Sequence, residues 1–347
     1  MRFKYVLGIE TSCDDTSCAV VDENGFVKAM LSANQDSVHR PFGGIVPEIA
    51  SRNHTMTLLP LVDQVLKKAN LAINDIDGIA ATNRPGLLGS LLVGMVTAKT
   101  LSLALDKPWI GVHHIEGHLM APFLNDETYK APTNWEFPFL SLVVSGGHTS
   151  LFKVLSFGKY ELLGATTDDA AGEAFDKFAK MAGLGYPGGV QVDNLAKNGE
   201  KNFHAFPRAL LKEDNYDFSF SGLKASAQRL LADMKPEDLK KNMENLCASY
   251  QEAIVDVLFE KTMKAARDHK IKHITVTGGV SANSRLREKF QSQEKIVGSK
   301  IIVAIPPLKF CTDNAAMIGL TGLKYLEKGY TSDLNTGVFA RASIAAE

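Results

Sequence analysis

The chain has 347 residues, 45% apolar and 22% charged, a globular composition with room for two lobes of roughly 100 to 200 residues each. Its 38 Lys and Arg against 39 Asp and Glu leave a net charge of -1, which excludes a chain-wide polycation: nucleic acid or an acidic membrane would have to meet a local patch. Cys13, Cys18, Cys247 and Cys311 form no CxxC pair and no even framework, so free thiols in a reducing cytoplasm are expected.

The opening MRFKYVLGIE lacks the apolar run of a signal peptide. Residues 3 to 10 and 16 to 22 are apolar, β-rich runs joined by TSCDD, and a third run at 26 to 33 follows the turn DENG, which predicts an antiparallel meander. An amphipathic helix is expected over 46 to 69, with Ile49, Met56, Leu59, Val62 and Leu66 at helical spacing and Pro60 kinking or splitting it. A strand at 78 to 82, a helix at 89 to 105 and a strand at 108 to 112 follow. The segment from 86 to 105 is apolar enough to suggest a membrane span, but Lys99 and its Gly, Ser and Thr content fit a core helix better, so no membrane association is expected.

The polar, proline-bearing stretch 124 to 137 is the natural lobe boundary, giving an N-terminal lobe over 1–130 and a C-terminal lobe over 135–347 whose last helix returns to the cleft. Beyond it the plan repeats. Two apolar runs over 138 to 155 surround Ser145, Gly146 and Gly147; helices are expected near 169–182, 189–198, 221–232 and 237–268; then come a strand at 273–279, the helix SANSRLREKF, the strand KIIVAI and a final long helix. Alternating strands and helices argue for an α/β class with parallel pairs, and the repeated plan for a duplication.

Three glycine-marked or polar turns, TSCDDT, SGGHT and TGGVSAN, end strands, where backbone N–H groups can approach a phosphate without a Cβ in the way. In HHIEGHLMAP, His114 and His118 stand at i and i+4 on one helical face and can reach one ion. A zinc-protease site is disfavoured, because Ile115 stands where HExxH needs its glutamate, Glu116 lies about 200 degrees round the helix from His114, and Gly117 occupies the glutamate place of HxxEH. His113 points about 100 degrees away from His114 and is expected not to be a ligand.

GIETSCDDT, HHIEGHLMAP, VSGGHT, GEAFDK with GYPGG, FSFSGLK, GGVSANSRLR and CTDNAAMI occur in an order that resembles the bacterial TsaD family, once called O-sialoglycoprotein endopeptidases, over residues 5 to 340. The one departure noted is Arg84 in NRPGLLGSL, where the family pattern usually has Gly. The resemblance implies an actin-like ATPase fold of two duplicated ribonuclease-H-like lobes with a cleft between them. It implies a transferase that moves threonylcarbamoyl from threonylcarbamoyl-AMP to the exocyclic amine of the adenosine beside the anticodon, in tRNAs reading codons that begin with A. It further implies metal ligation by His114, His118 and Asp313, the last from the far lobe, with iron(II), or else zinc, as the ion. By the same resemblance Val143, Val144, Ser145, Gly146 and Gly147 wrap the adenylate phosphate, Asp176 and Asp193 meet the ribose and its surroundings, Gly189 allows close backbone approach, and Asn283 lies on the adenine side. A TsaB-like paralogue and a TsaE-like small ATPase are the implied partners.

Chemistry is compatible with these roles: a carboxylate accepts from vicinal hydroxyls, and an Asn both donates to and accepts from a base edge. The plainer options are an Asp176–Lys180 pair at i+4 and Asn283 as a helix cap. Because a purine amine is a poor nucleophile, a carboxylate within reach could take its proton as the bond forms, and Asp14 and Asp15 in the first turn are the candidates. An actin-like kinase or ATPase, which would build a magnesium site from carboxylates alone, a metalloprotease, and a nucleotide-binding scaffold inactive by itself are the rival readings.

Overall fold

A computed structural model describes residues 2–42, 44–211, 213–294 and 301–344. Two units emerge from it: the first runs to Thr133 and resumes over Pro306–Ile344, and the second is Asn134–Ile305. The break at Thr133 falls inside the polar stretch 124–137, where few apolar residues exist to hold a core together.

Unit 1 opens with the meander β1 (Tyr5–Glu10), β2 (Thr16–Asp22) and β3 (Val27–Ala33), paired antiparallel. A short helix α1 (Asp36–His39) leads to α2 (Pro47–Ala69), β4 (Gly78–Arg84), α3 (Leu88–Leu105), β5 (Trp109–His113) and α4 (His114–Met120). β4 and β5 extend the sheet in parallel, giving the order β3-β2-β1-β4-β5. Pro60 neither splits α2 nor ends it. It lies on the exposed face beside Met56, so the carbonyl that loses its partner can meet water.

Unit 2 repeats the plan with β6 (Phe139–Val144), β7 (Thr149–Ser156) and β8 (Lys159–Ala165), the helices α5 (Ala171–Met181), α6 (Gly188–Ala196), α7 (Ser221–Asp233) and α8 (Pro236–Asp268), then β9 (His273–Thr277), α9 (Ser284–Glu294) and β10 (Ile302–Ala304). Its sheet order, β8-β7-β6-β9-β10, is that of unit 1 strand for strand. β8 is absent from the sequence reading: LLGA carries no clean alternation, and Gly164 is needed because a Cβ there would lie 2.2 Å from the Tyr216 carbonyl.

The chain closes with α10 (Leu308–Cys311) and α11 (Ala315–Glu327), and here the structure departs from expectation. The sequence reading placed 306–344 with the second lobe and brought Asp313 from the far side. Instead Ala315, Ala316, Met317, Leu320 and Leu323 join Val6, Ala19, Ala80 and Val112 in one buried cluster, so this segment belongs to unit 1. Alternation along β1 sends Leu7 and Ile9 to the opposite face, against Leu58, Val62 and Met95 of α2 and α3. The cause of the docking is legible at one residue: a Cβ on Gly8 would lie 2.1 Å from the Ala315 carbonyl, so only glycine lets the start of α11 rest on β1.

Candidate metal centre and nucleotide turns

His114 and His118 lie one turn apart on α4, which packs on α11 through Gly117; a Cβ there would meet Ile318 at 2.8 Å and Met317 at 3.0 Å. That approach brings Asp313, just ahead of α11, to both imidazoles: its Oδ1 is 3.1 Å from His118 Nε2 and 3.5 Å from His114 Nε2. One donor atom from each of the three residues falls within 4.8 Å of the others. The histidines are buried, and Asp313 is 28% exposed, which leaves a way in for a ligand. Two imidazoles and a carboxylate suit iron or zinc and leave coordination places open.

Behind the cluster, Glu10, Ser12 and Thr82 form a buried polar shell around His114 that the sequence reading missed. The available signal was an acid on the inward face of a strand whose neighbours are apolar. Burial works against charge at all of these groups. At His114 the charges of Asp313 and Glu10 overcome it and hold the imidazole proton well above the usual histidine range, whereas at His118 burial dominates and the pKa is lowered. In turn, the imidazoles outweigh burial at Asp313, holding it well below the usual carboxylate range, and His114 leaves Glu10 lowered as well. His118 Nε2 faces Asp313, and its Nδ1 is buried without a hydrogen-bond partner among the described residues, so no such partner fixes the tautomer of this ring.

His113 accepts from Ile115 N at 3.2 Å and caps α4, with its other nitrogen on the Ala342 carbonyl, which agrees with its exclusion as a ligand. Glu116 is buried and accepts from the Tyr325 hydroxyl at 2.6 Å, an arrangement that ties α4 to α11 and turns the carboxyl from any protease role. In the first turn, His54 of α2 bonds both Thr16 Oγ1 and the Cys13 carbonyl, fixing the loop that presents Asp14 and Asp15. Burial first, then the charges of Asp14 and Asp313, push Asp15 up to about 7, against a hydrogen bond from Asn34.

Unit 2 gathers the remaining candidates. Val143 and Val144 end β6, and Ser145 closes a turn by donating from its N–H to the His148 carbonyl at 2.8 Å and accepting from His148 N at its hydroxyl. Gly146 and Gly147 are exposed, and a Cβ on either would meet nothing within 4 Å. The turn after β9 lies alongside: Gly278, at φ +86°, would put a Cβ 2.4 Å from the Val144 carbonyl. The first turn of α5 abuts the same place, Gly172 N donating to the Ser145 carbonyl at 3.2 Å. Asp176 accepts from Gly188 N at 2.8 Å and is held up by burial; among the described residues no ion pair joins it to Lys180. Gly189 follows in the same helix start, with Phe175 Cβ at 3.8 Å from an added Cβ, so that space is not what demands glycine there. Asp193 accepts from Ser284 N and Oγ, and Asn283 accepts from Leu286 N while donating to Gln251, so the capping role of Asn283 is realised in the fold. These contacts join SGGHT, GEAFDK, GYPGG and GGVSAN into one continuous patch.

The family model described as tRNA N6-adenosine threonylcarbamoyltransferase, TsaD, matches residues 27–320. Proteins of that name from Bdellovibrio bacteriovorus and Syntrophus aciditrophicus are 54% identical over 332 residues and 48% over 339, covering 96% and 97% of this chain and 96% of each relative. Among solved structures, full-length HypF superposes with a TM-score of 0.59 at 13% identity, over 95% of this chain and 57% of that one. Component A of (R)-2-hydroxyglutaryl-CoA dehydratase from Acidaminococcus fermentans gives 0.52 at 14%, over 93% and 99%. At such identities the likeness is one of fold, the actin-like ATPase fold.

Proposed function

Since this chain belongs to the TsaD family, the tRNA N6-adenosine threonylcarbamoyltransferases, we propose that its His114–His118–Asp313 cluster and its glycine turns carry threonylcarbamoyl transfer from threonylcarbamoyl-AMP to tRNA. The chain is an enzyme, a transferase acting on tRNA. The observation that carries the site assignment is the convergence of two imidazoles and one acid, His118 and Asp313 being 195 residues apart in sequence, since a kinase would need carboxylates alone and a protease an adjacent base.

The accepting group is the exocyclic amine of the adenosine beside the anticodon. Its nitrogen attacks the carbamoyl carbon; the C–N bond forms, the C–O bond to phosphate breaks, and AMP leaves with the electron pair. Asp15, titrating near neutrality, takes the amine proton, with Asp14 beside it as the other candidate. A mixed anhydride is already activated, so positioning matters most and is worth up to roughly 7 to 11 kcal/mol. The Gly146 and Gly147 N–H groups and the Ser145 hydroxyl hold phosphate oxygens, Asp176 and Asp193 the ribose side with Gly189, and Asn283 the adenine. His114, His118 and Asp313 would hold a divalent ion, iron or else zinc, which when bound would supply Lewis-acid chemistry.

The enzyme would work in the cytoplasm with a TsaB-like paralogue and a TsaE-like ATPase. Met56 and Leu59 of α2 and Leu88, Leu92 and Val96 of α3 are exposed and apolar, a surface suited to a protein partner. α3 is the one described helix long and apolar enough to cross a membrane, but its Ser90 carbonyl accepts from Thr11 Oγ1 inside unit 1 and Ala98 is buried there. The test is reconstitution with threonylcarbamoyl-adenylate, tRNA and both partners. Threonylcarbamoyladenosine and AMP in equal amounts support the reading; a phosphorylated acceptor would support the kinase instead, and cleaved peptide the protease.

A further inference from the structure

We infer that Glu10 is a positioning residue that fixes the tautomer of His114, so that Nε2 presents its lone pair toward Asp313 and His118. The inference rests on the metal reading above and goes one shell beyond it. Glu10 ends β1 on the inward face shared with Val6 and is 1% exposed. Its carboxyl is fully engaged. Ser12 N donates to Oε1 at 2.6 Å, Thr82 Oγ1 donates to Oε2 at 2.5 Å, and His114 Nδ1 lies 3.1 Å from Oε2. The parallel register that pairs Ile9 with Ala81 sets Glu10 beside Thr82, so two strands and the first turn together aim the carboxyl at α4.

A carboxylate only accepts, so the proton on that bond must belong to Nδ1. Ser12 Oγ, 3.1 Å from the same nitrogen, is then a second acceptor on the shared hydrogen. With Nδ1 holding its proton against Glu10, Nε2 is the nitrogen that would give up its own proton to a metal, and it is Nε2 that faces Asp313 at 3.5 Å. Nothing equivalent acts on His118, whose Nδ1 has no partner among the described residues. The two ligands therefore differ: one ring is preset by the strand behind it, and the other is not. Such outer partners of ligating histidines commonly change metal affinity by roughly 10- to 100-fold when removed. Because Ser12 belongs to the turn that carries Asp14 and Asp15, the same ring also ties the candidate base loop to the metal centre.

The experiment uses the full chain and Zn2+ alone, with affinity read by chelator competition and ring protonation by 15N NMR, His114 being identified from the resonances lost in His114→Gln. In the Zn2+-loaded wild type, Nδ1 is expected to carry the proton and Nε2 the metal. Glu10→Ala is expected to weaken Zn2+ binding roughly 10- to 100-fold, and Glu10→Gln, which keeps an oxygen for the Nδ1 proton, to recover most of that loss. A His114 bound through Nδ1, or a folded Glu10→Ala protein with wild-type affinity, overturns the inference while leaving the metal site standing. Should Glu10→Ala fail to fold, the wild-type 15N spectrum decides by itself. A wild-type chain that takes up no Zn2+ defeats the metal reading, and this inference with it.

Discussion

A carboxyl that titrates near pH 7 is matched to accepting a proton from an aromatic amine, and Asp15 is such a group because burial, Asp14 and Asp313 all disfavour its charge. Product formation in the reconstituted system should rise through a limb near pH 7, and Asp15→Asn should abolish the limb with a loss of roughly 10²- to 10⁴-fold; an unchanged profile would move the role to Asp14. Stability should respond with the opposite sign on the alkaline side. Asp15 and His114 both have folded-state pKa values above their ordinary ones, so the stability they contribute is complete below those ordinary values and drains away as pH rises through the folded-state ones. Glu10 and Asp313 are lowered, and their contribution is lost as pH falls through their depressed values. Thermal melts of metal-stripped protein should therefore show a maximum on the acid side of neutrality, flattened on the alkaline limb by Asp15→Asn. At this scale the two histidines were legible because spacing alone puts them on one face. Glu10 and Thr82 were not, since strand register between residues 72 apart is invisible in a linear pattern.

Among the elements, the contact of α11 with β1 governs where Asp313 arrives. Gly8→Ala forces a Cβ against the Ala315 carbonyl, and overpacking of this kind costs about 1 to 3 kcal/mol. The variant should melt lower and hold Zn2+ more weakly, although Gly8 is no ligand; melting loss with unchanged Zn2+ affinity would show that α11 can shift without moving Asp313. At α9 the two roles of Asn283 can be separated. Asn283→Ala should lose about 1 kcal/mol through the cap and more through the Gln251 bond, whereas Asn283→Asp keeps the cap acceptor and gives up only the amide donor, so its melting loss should be smaller while its loss of AMP affinity is as large. Most element boundaries were legible to within a few residues because apolar period and glycine turns coincide. β8 was not, its strand character coming from pairing with β7 rather than from its own pattern.

For the whole molecule, the duplication was readable as two successions of hairpin, helices and strands, and the identical strand order of the two sheets realises it. The place of the last helix was not readable, since its apolar stripe fits any sheet of the same class; close approach at Gly8, Gly319 and Gly322 fits it to unit 1. The central claim is that the histidine pair and Asp313 make transfer metal-dependent. The most direct measurement strips the chain of metal, restores Fe2+ or Zn2+ stepwise with donor, tRNA and partners present, and counts threonylcarbamoyladenosine by mass spectrometry. Product should climb to a plateau at one ion per chain and stay at background at every ion concentration in His114→Ala and Asp313→Ala. Full product from the stripped wild type, or from either variant, would contradict the account.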